Sequence, residues 1–478
     1  AEFSTPRRAS TGNPSAVKKG DENYLLAPYL GGSGAYPYRA FQEGDMEMAS
    51  GRPTARDGGR RGTGAASTPA LWRSGNGRDR PASAARGDPR VKLGVTRLLE
   101  EPERYFGKAR ARVGLVANYN AVDERAVPII KLFSECPGIK LARIYAAEHG
   151  LWGCEQAGVK VWHGTDEFTG VEVVSLYGEA VKPTPEMLDG IDVLVCDGND
   201  IGSRYWTGLA TVALCIEAAA EAGKPVIVTD RPNPLGGTVI EGSLLDLQYR
   251  SFVGYERIPM RHGMTAGELA AMFAARSRID VDLTVVPMDG WERHMLFPDT
   301  GHFWTGTPNM PGFETALVYP GTCLFEGTTL SEGRGTTKPF RLIGAPWLDP
   351  FGLAEVLNDM SLKGVRFRPA RFRPMFSKHS GVECGGVEVH VTDPGEVRAV
   401  LLGVSMLHAA RKQNELEFQW RGADGGSASH RLFIDLLAGG AELRAWLEEG
   451  ASPDEIIARW EPGLREFAEI REQYLMYR

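Results

Sequence analysis

Short runs of Val, Ile and Leu alternate with helical stretches from about residue 91 onward, and this alternation constrains the fold more than any other feature. Uninterrupted apolar runs are typical of parallel strands that are covered on both faces. Strands that alternate with helices predict a doubly wound parallel sheet of the α/β class. We predict strands at residues 113–118, 139–147, 171–176, 191–197, 225–230 and 282–287.

Helical patterns separate several of these strands. One begins at a capping box, in which Thr265 is followed three residues later by Glu268. The predicted helices of this part cover residues 127–134, 185–189, 207–222 and 265–276.

After about residue 311 the rhythm is less regular, and Gly and Pro are frequent up to residue 350. We predict a strand at 386–391 and helices at 396–412, 432–437, 442–449 and 453–477. The expected organisation is a Rossmann-like catalytic domain over residues 91–312 and a smaller α+β auxiliary domain over residues 313–478.

Residues 1–90 are rich in Gly, Pro, Ser, Ala and Arg and have no sustained apolar period. Such a segment cannot bury enough apolar area to offset its ordering entropy. We therefore expect a disordered tail. Its start also lacks the charged and then apolar pattern of a secretory signal.

Composition excludes several classes of protein. The net charge of −7 argues against a basic nucleic-acid binder. Six scattered cysteines without a CxxC pair argue against a disulfide framework or a zinc ribbon. No apolar run approaches the ~18 residues that a membrane span needs. We expect neither a nucleic-acid partner nor a membrane span.

Polar residues follow four of the predicted strands, at the sheet edge where ligands bind in open α/β folds. We therefore predict a site at this edge. Its candidate residues are Asn118, Glu148, His149, Asp197, Asn199, Asp200, Arg204, Tyr205, Asp230, Arg231 and Asn233.

Missing motifs narrow the chemistry of this site. The first strand is not followed by GxGxxG, and the chain has no P-loop, no GxSxG elbow and no HExxH motif. We therefore expect no nucleotide cofactor and no zinc. Carboxylates with arginines and amides fit sugar hydrolysis. They also fit, less well, a magnesium-dependent phosphoesterase or amidohydrolase that uses Asp197, Asp200 and Asp230.

Glu148 is the preferred general acid, because it directly follows an apolar strand and an apolar setting favours a protonated carboxyl. His149 would orient this acid or bind substrate. A Gly-, Thr- and Ser-rich segment at residues 326–340 supplies further candidates from the second domain. These are Glu326, Glu332, Arg334 and Thr336.

Several segments, taken in order, resemble one family. They include AEHGLWG at 147–153, SLYG at 175–178, DGNDIGSRYWT at 197–207 and DRPNPLGG at 230–237. Further segments are RHGMTAGELA at 261–270, PNMP at 308–311, YPGTCLFEGTTLSEGRGTTKPF at 319–340 and GAPW at 344–347. This ordered set resembles the NamZ family of exo-β-N-acetylmuramidases, long catalogued as a domain of unknown function.

The resemblance implies a cleft between two domains and release of N-acetylmuramic acid from the non-reducing end of peptidoglycan fragments. It implies that Glu148 is the acid, and it suggests an extracellular or periplasmic setting. Two positions depart from the family pattern. Ala147 replaces the usual proline before the acid, and Asn199 stands where glutamine is usual.

The substrate's lactyl carboxylate suits a guanidinium, and the candidates for this contact are Arg204 and Arg334. The second carboxylate is Asp200, Glu326 or Glu332. A separation from Glu148 of ~5–5.5 Å would indicate retention, and ~6.5–9.5 Å inversion. Catalysis assisted by the substrate's acetamido group and a non-catalytic sugar-binding site remain alternatives.

Overall fold

The computed structural model describes residues 90–107, 110–422 and 431–478. The predicted tail, apart from Arg90, lies outside the described residues. These contain a seven-stranded sheet with helices on both faces, followed by a smaller lobe with a three-stranded antiparallel sheet. The prediction of a Rossmann-like α/β fold with an α+β second part is therefore confirmed. The boundary near residue 312 stays a prediction.

The large sheet has the strand order β3-β4-β2-β1-β5-β6-β9, and all its neighbours are parallel except β3 and β4. Its strands are β1 (Ala111–Val116), β2 (Ile139–Ala146), β3 (Gly164–Thr165), β4 (Glu172–Ser175), β5 (Val193–Asp197), β6 (Val226–Thr229) and β9 (Leu283–Val286). Along the chain, β2 and β4 are added on one side of β1, and β6 and β9 are then added on the far side of β5. The topological switch point, where such sheets bind ligands, therefore lies between β1 and β5.

Helices cover both faces of this sheet. They are α1 (Gly94–Glu100), α2 (Pro102–Phe106), α3 (Ile129–Glu135), α4 (Thr207–Glu221) and α5 (Ala266–Arg276). Alternate strand residues enter opposite cores: Leu115 packs with the α1 and α3 side, and Leu194 with the α4 and α5 side. The capping box of Thr265 and Glu268 opens α5 as predicted.

The predicted helix at 185–189 is wrong, because these residues form a hydrogen-bonded turn. The N–H of Leu188 donates to the carbonyls of Thr184 and Pro185, and Gly190, with a φ of 80°, then turns the chain away from a helical path.

The second lobe has the strand order β10-β12-β11. A hairpin of β7 (Glu241–Leu244) and β8 (Pro259–Arg261) precedes it in the chain. The three strands of the second-lobe sheet are β10 (Leu342–Ala345), β11 (Val365–Phe372) and β12 (Cys384–Val391). Its helices are α6 (Phe313–Thr322), α7 (Pro350–Asp359), α8 (Ala399–Gln413), α9 (Phe433–Ala438), α10 (Glu442–Glu448) and α11 (Pro453–Arg471). In the described part of the chain, no helix combines the length and apolarity that crossing a bilayer requires.

The two lobes share one hydrophobic core. Tyr205 and Val253 of the first lobe are buried in the same cluster as Tyr319 and Phe340 of the second. The C-terminal residues also return to the first lobe, where the Tyr477 hydroxyl donates to Asp230 Oδ2 at 2.6 Å. The relative position of the lobes is therefore fixed by packing as well as by polar contacts.

A buried ion pair joins the β7–β8 hairpin to the second lobe. Arg261 Nη1 donates to Glu241 Oε1 at 2.8 Å, and both side chains are buried. The same carboxylate accepts the backbone N–H groups of Ala399 and Val400 at the start of α8. Removal of Glu241 would leave the buried guanidinium of Arg261 without its counter-charge and two N–H groups without their acceptor; Arg261 would keep only the carbonyls of Leu235 and Val397.

We expect Glu241→Ala to lower the free energy of unfolding by about 3–5 kcal/mol, the cost of breaking a buried pair from one side. Glu466→Ala is the control, because its pair with Arg257 is exposed and such pairs contribute about 1 kcal/mol or less. Urea unfolding of both variants measures the difference. Equal losses would contradict this role for Glu241.

Candidate active site

A pocket of about 660 Å³, including space open to solvent, lies where the carboxyl edge of the large sheet meets the second lobe. Both lobes contribute to its lining. The predicted site residues that line it are Asn118, Glu148, His149, Tyr205, Glu326 and Arg334.

Glu148 lies two residues after the end of β2 and is 8% exposed. Its Oε1 accepts the backbone N–H of Gly158 at 3.0 Å, and its Oε2 accepts the hydroxyl of Thr207 at 2.8 Å. Thr207 is the first residue of α4. One carboxyl group is thus held from two sides inside the pocket, next to the N-terminus of a helix.

The turn that presents Glu148 is closed without the proline usual in the family. The N–H of Gly150 donates to the carbonyl of Ala147 at 3.1 Å. His149 adopts a φ of 71°, which is uncommon for a residue with a side chain. Its Nδ1 lies 2.8 Å from the carbonyl of Glu155. A carbonyl only accepts, so Nδ1 carries a proton.

Arg334 and Glu326 form a charged pair at the second-lobe side of the pocket. Arg334 Nε and Nη2 donate to Glu326 Oε1 at 2.8 and 2.6 Å. Burial opposes the charge on Arg334, but Glu326 and Glu332 outweigh it and raise its pKa. Arg334 therefore stays a cation.

Two glycines fix the backbone on either side of Arg334. Gly333 and Gly335 have φ values of 79° and 80°. A Cβ on either one would lie 2.5–2.6 Å from a backbone oxygen, of Leu342 or Phe376. Only glycine fits both the φ and the close approach, so this sequence determines where Arg334 emerges.

Glu332 is buried behind this pair and is not among the residues that line the pocket. It lies 3.5 Å from Arg334 Nε and 2.6 Å from Lys378 Nζ. Burial raises the pKa of Glu332, but the two cations outweigh it and lower the pKa overall. The structure places Glu332 as a support for Arg334. Thr336, also expected to bind substrate, instead donates to the carbonyl of Gly333 within the loop.

Three other candidates line a neighbouring cavity. They are Asn199, Asp200 and Arg231. Arg231 donates through Nε to both oxygens of Asp197 at 2.8 Å, and through Nη2 to the carbonyl of Val122. Asp200 is thus separated from the pocket that holds Glu148 and Glu326.

Arg204 is not among the residues that line either cavity, although we expected it to meet the substrate carboxylate. It is 2% exposed and donates to three carbonyls, those of Ser243, Ile258 and Leu437, each at 2.7 Å. Burial lowers the pKa of Arg204 to about 10. Its guanidinium joins the two lobes.

Asp230 and Asn233 are also buried within the fold. The two oxygens of Asp230 accept the Thr265 hydroxyl at 2.6 Å, the Tyr477 hydroxyl at 2.6 Å and the Gly267 N–H at 2.9 Å. Burial raises the pKa of Asp230 to about 6, although these donors oppose the shift. Asn233 donates to the carbonyl of Met264 and accepts the N–H of Leu235.

The magnesium alternative is not supported. Asp197 is held by Arg231, and Asp230 by Thr265, Tyr477 and Gly267. Across residues 90–107, 110–422 and 431–478, no three His, Cys, Asp or Glu side chains are grouped as metal ligands would be.

Sequence reasoning did not single out several residues that line the pocket. They are Thr207, Val253, Thr307, Met310 and Tyr319. Thr207 had a usable signal, because it starts the helix after β5 at the ligand-binding edge of the sheet. No sequence signal indicated the hydrogen bond from Gly158 to Glu148, because this bond depends on how the loop between the two residues folds back.

We expect Arg204→Met to lower the free energy of unfolding by about 3 kcal/mol or more, because three buried carbonyls lose their donor. The KM of the folded enzyme should not change. Arg371→Met is the control, since Arg371 lies in an exposed pair with Glu383. Thermal unfolding and steady-state kinetics measure the two effects. A raised KM with unchanged stability would return Arg204 to the substrate site.

Known proteins with similar sequences and folds are found for most of the chain. It is 45% identical over 391 residues to the peptidoglycan beta-N-acetylmuramidase NamZ of Bacillus subtilis (strain 168), covering 81% of this chain and 92% of that protein. A crystal structure of a DUF1343 family protein from Bacteroides fragilis NCTC 9343 matches with a TM-score of 0.73 and 32% identity. A second DUF1343 protein from that organism matches with a TM-score of 0.63 and 27% identity. Each structural match covers 81% of this chain and 99% of the other.

Two family descriptions together span nearly all of the two lobes. Residues 113–314 match "Exo-beta-N-acetylmuramidase NamZ, N-terminal", and residues 317–477 match "Exo-beta-N-acetylmuramidase NamZ, C-terminal". The chain belongs to the NamZ family of exo-β-N-acetylmuramidases.

Proposed function

We propose that this chain is an exo-acting glycoside hydrolase that releases N-acetylmuramic acid from the non-reducing end of peptidoglycan fragments. Glu148 is its general acid. The observation that carries this proposal is a nearly buried carboxyl group, held by Thr207 and Gly158, in a pocket that a second carboxylate and an arginine also line.

The surroundings of Glu148 suit both halves of its task. A general acid must lie beside the departing oxygen and give up its proton as the bond breaks. The N–H of Gly158 and the hydroxyl of Thr207 hold the side chain in one orientation and remain as hydrogen-bond donors to the carboxylate that results.

Glu326 is the second carboxylate of the proposed mechanism. It lines the same pocket as Glu148, whereas Asp200 lines the neighbouring cavity and Glu332 supports Arg334. Arg334 holds Oε1 of Glu326 through two donors, so that the carboxylate is kept in one orientation. A negative charge beside the sugar stabilises the oxocarbenium-like transition state of glycoside hydrolysis.

Arg334 and Asn118 supply recognition. Arg334 uses Nε and Nη2 for Glu326, and Nη1 makes no hydrogen bond to the described residues, which leaves it for the lactyl carboxylate. Asn118 lines the pocket, and its buried Oδ1 has no donor within the described residues. An acetamido N–H of the substrate would satisfy that oxygen. The pocket thus combines groups for the two substituents that distinguish N-acetylmuramic acid from a plain hexose.

We expect Glu148→Gln to reduce kcat at least about 100-fold on N-acetylmuramyl-β-1,4-N-acetylglucosamine, because general acid catalysis contributes 10²–10⁴-fold. The loss should be smaller on p-nitrophenyl β-N-acetylmuramide, since nitrophenolate leaves without needing a proton. Product release on both substrates measures the two rates.

Glu179→Gln is the control for this experiment, because Glu179 is exposed and outside the pocket. Its rates should match those of the unaltered enzyme. Full activity of Glu148→Gln, or equal losses on the two substrates, would exclude Glu148 as the acid.

Arg334→Gln should reduce the preference for p-nitrophenyl N-acetylmuramide over the glucosamine analogue by about 10- to 100-fold, the value of a hydrogen bond to a charged group. The ratio of the two kcat/KM values measures this preference and cancels any general loss of activity. Arg334→Lys should be intermediate, because it keeps the charge but not the planar fork. An unchanged ratio would mean that another group reads the lactyl carboxylate.

A further inference from the structure

A second cavity of about 590 Å³, including space open to solvent, lies at the switch point of the large sheet. Its lining comes from the segments that follow β1, β5 and β6, and from an aromatic segment that precedes the second lobe. Polar and aromatic side chains of this lining include Asn120, Asp200, Arg231, His302 and Trp304. The proposed chemistry at Glu148 does not use this cavity.

Asp200 is the least satisfied carboxylate on the cavity wall. It is 7% exposed, and neither oxygen has a hydrogen-bond partner among the described residues. The nearest cation candidate is His262, whose Nε2 lies 3.2 Å from Oδ2 without hydrogen-bond geometry. His262 Nδ1 accepts the N–H of Met264, so Nε2 carries the ring proton that faces Oδ2. Oδ1 has no such neighbour among the described residues, and a buried carboxylate oxygen without a partner calls for a donor from a ligand.

Asn120 adds a second unmet acceptor. Its side chain is 3% exposed, and its Oδ1 has no donor in the described part of the chain. The ligand that fits Asp200 and Asn120 is therefore rich in O–H or N–H groups.

The cavity offers little to an anion. The charge of Arg231 is balanced by buried Asp197, which accepts from Nε; Nη2 donates to the carbonyl of Val122, and Nη1 has no hydrogen bond within the described residues. Burial lowers the pKa of His302, which keeps that ring neutral near pH 7. Asp200 would itself repel a carboxylate. The cavity is thus suited to a neutral polyol, in contrast to the pocket with Arg334.

One wall is apolar and aromatic. Trp304 lies edge to face with Phe297, with ring centroids 4.9 Å apart, and its indole N–H is held by the carbonyl of Met310. Fixed aromatic rings beside carboxylate and amide acceptors match a sugar, which has both apolar C–H faces and hydroxyl edges.

The two cavities are neighbours along three segments. Asn118 lines the pocket and Asn120 the second cavity, and Thr307 and Gly306 are divided in the same way. The indole N–H of Trp206 in the pocket wall donates to the carbonyl of Asn199 in the cavity wall at 3.1 Å. Linked sugars of one glycan could therefore occupy both.

We propose that the second cavity is the leaving-group subsite, where Asp200 accepts hydrogen bonds from hydroxyls of the N-acetylglucosamine residue that follows the cleaved bond. This inference rests on the proposed function. It assigns the second cavity, which suits an uncharged ligand, to the neutral sugar N-acetylglucosamine. The pocket with Arg334 is left for the acidic sugar, N-acetylmuramic acid.

The test compares Asp200→Asn and Asn120→Ala with the unaltered enzyme on two substrates. The first is the disaccharide N-acetylmuramyl-N-acetylglucosamine, and the second is p-nitrophenyl N-acetylmuramide, whose leaving group has no hydroxyl donors. Asp200→Asn should lower kcat/KM on the disaccharide about 10- to 100-fold and alter it less than about threefold on the nitrophenyl substrate. Asn120→Ala should also lower kcat/KM more on the disaccharide than on the nitrophenyl substrate, by a smaller factor.

Asp192→Asn is the matched control, because Asp192 precedes β5 at the opposite end of the strand from Asp200 and is exposed. It should change neither rate. Calorimetric titration with free N-acetylglucosamine gives a readout that does not depend on catalysis. Its Kd should rise at least about tenfold in Asp200→Asn.

Equal losses on the two substrates, or unchanged N-acetylglucosamine binding in both cavity variants, would overturn the subsite. If the unaltered enzyme cleaves neither substrate, the proposed function fails and the titration alone decides. Weakened binding in Asp200→Asn then supports the subsite, and no binding to the unaltered chain overturns it.

Discussion

The contact between Tyr205 and Tyr319 determines where the second lobe stands against the sheet. The two rings meet edge to face at 6.2 Å, and the Tyr205 hydroxyl donates to the carbonyl of Pro320. Tyr319 packs in turn on Phe340 at 4.7 Å, and the guanidinium of Arg334 lies 5.0 Å from the Phe340 ring. A continuous row of aromatic rings therefore positions a second-lobe cation relative to first-lobe residues. The distance between the two halves of the pocket depends on this packing.

The two cavities differ in how their charges are balanced. In the pocket, Arg334 neutralises Glu326 with support from Glu332 and Lys378, so that a cation and a carboxylate are presented together. In the second cavity, Arg231 is paired with Asp197, and Asp200 adds a further negative charge. This difference underlies the proposed preference of the pocket for an acidic sugar and of the second cavity for a neutral sugar.

The sequence was sufficient for the sheet, and for Glu148, because both depend on local patterns. Continuous apolar runs identify the buried strands, and a carboxylate directly after β2 must emerge at the ligand-binding edge. It was not sufficient to distinguish the structural role of Arg204 from the proposed substrate-binding role of Arg334, since both residues lie in polar loops that contain glycine. The fate of Arg204 is decided by carbonyls 39, 54 and 233 positions away, which no local pattern reveals. For the same reason, the hydrogen bond from Gly158 to Glu148 could not be predicted from the sequence.

The return of Tyr477 to Asp230 spans 247 positions of the chain. During translation the sheet that contains Asp230 leaves the ribosome long before its tyrosine partner has been made. Until then Oδ2 of Asp230 has only the Thr265 hydroxyl as a donor, and Trp291 lacks the ring that later packs against it at 5.1 Å. The surroundings of Asp230 and Trp291 are thus complete only after the C-terminal segment with Tyr477 has been made.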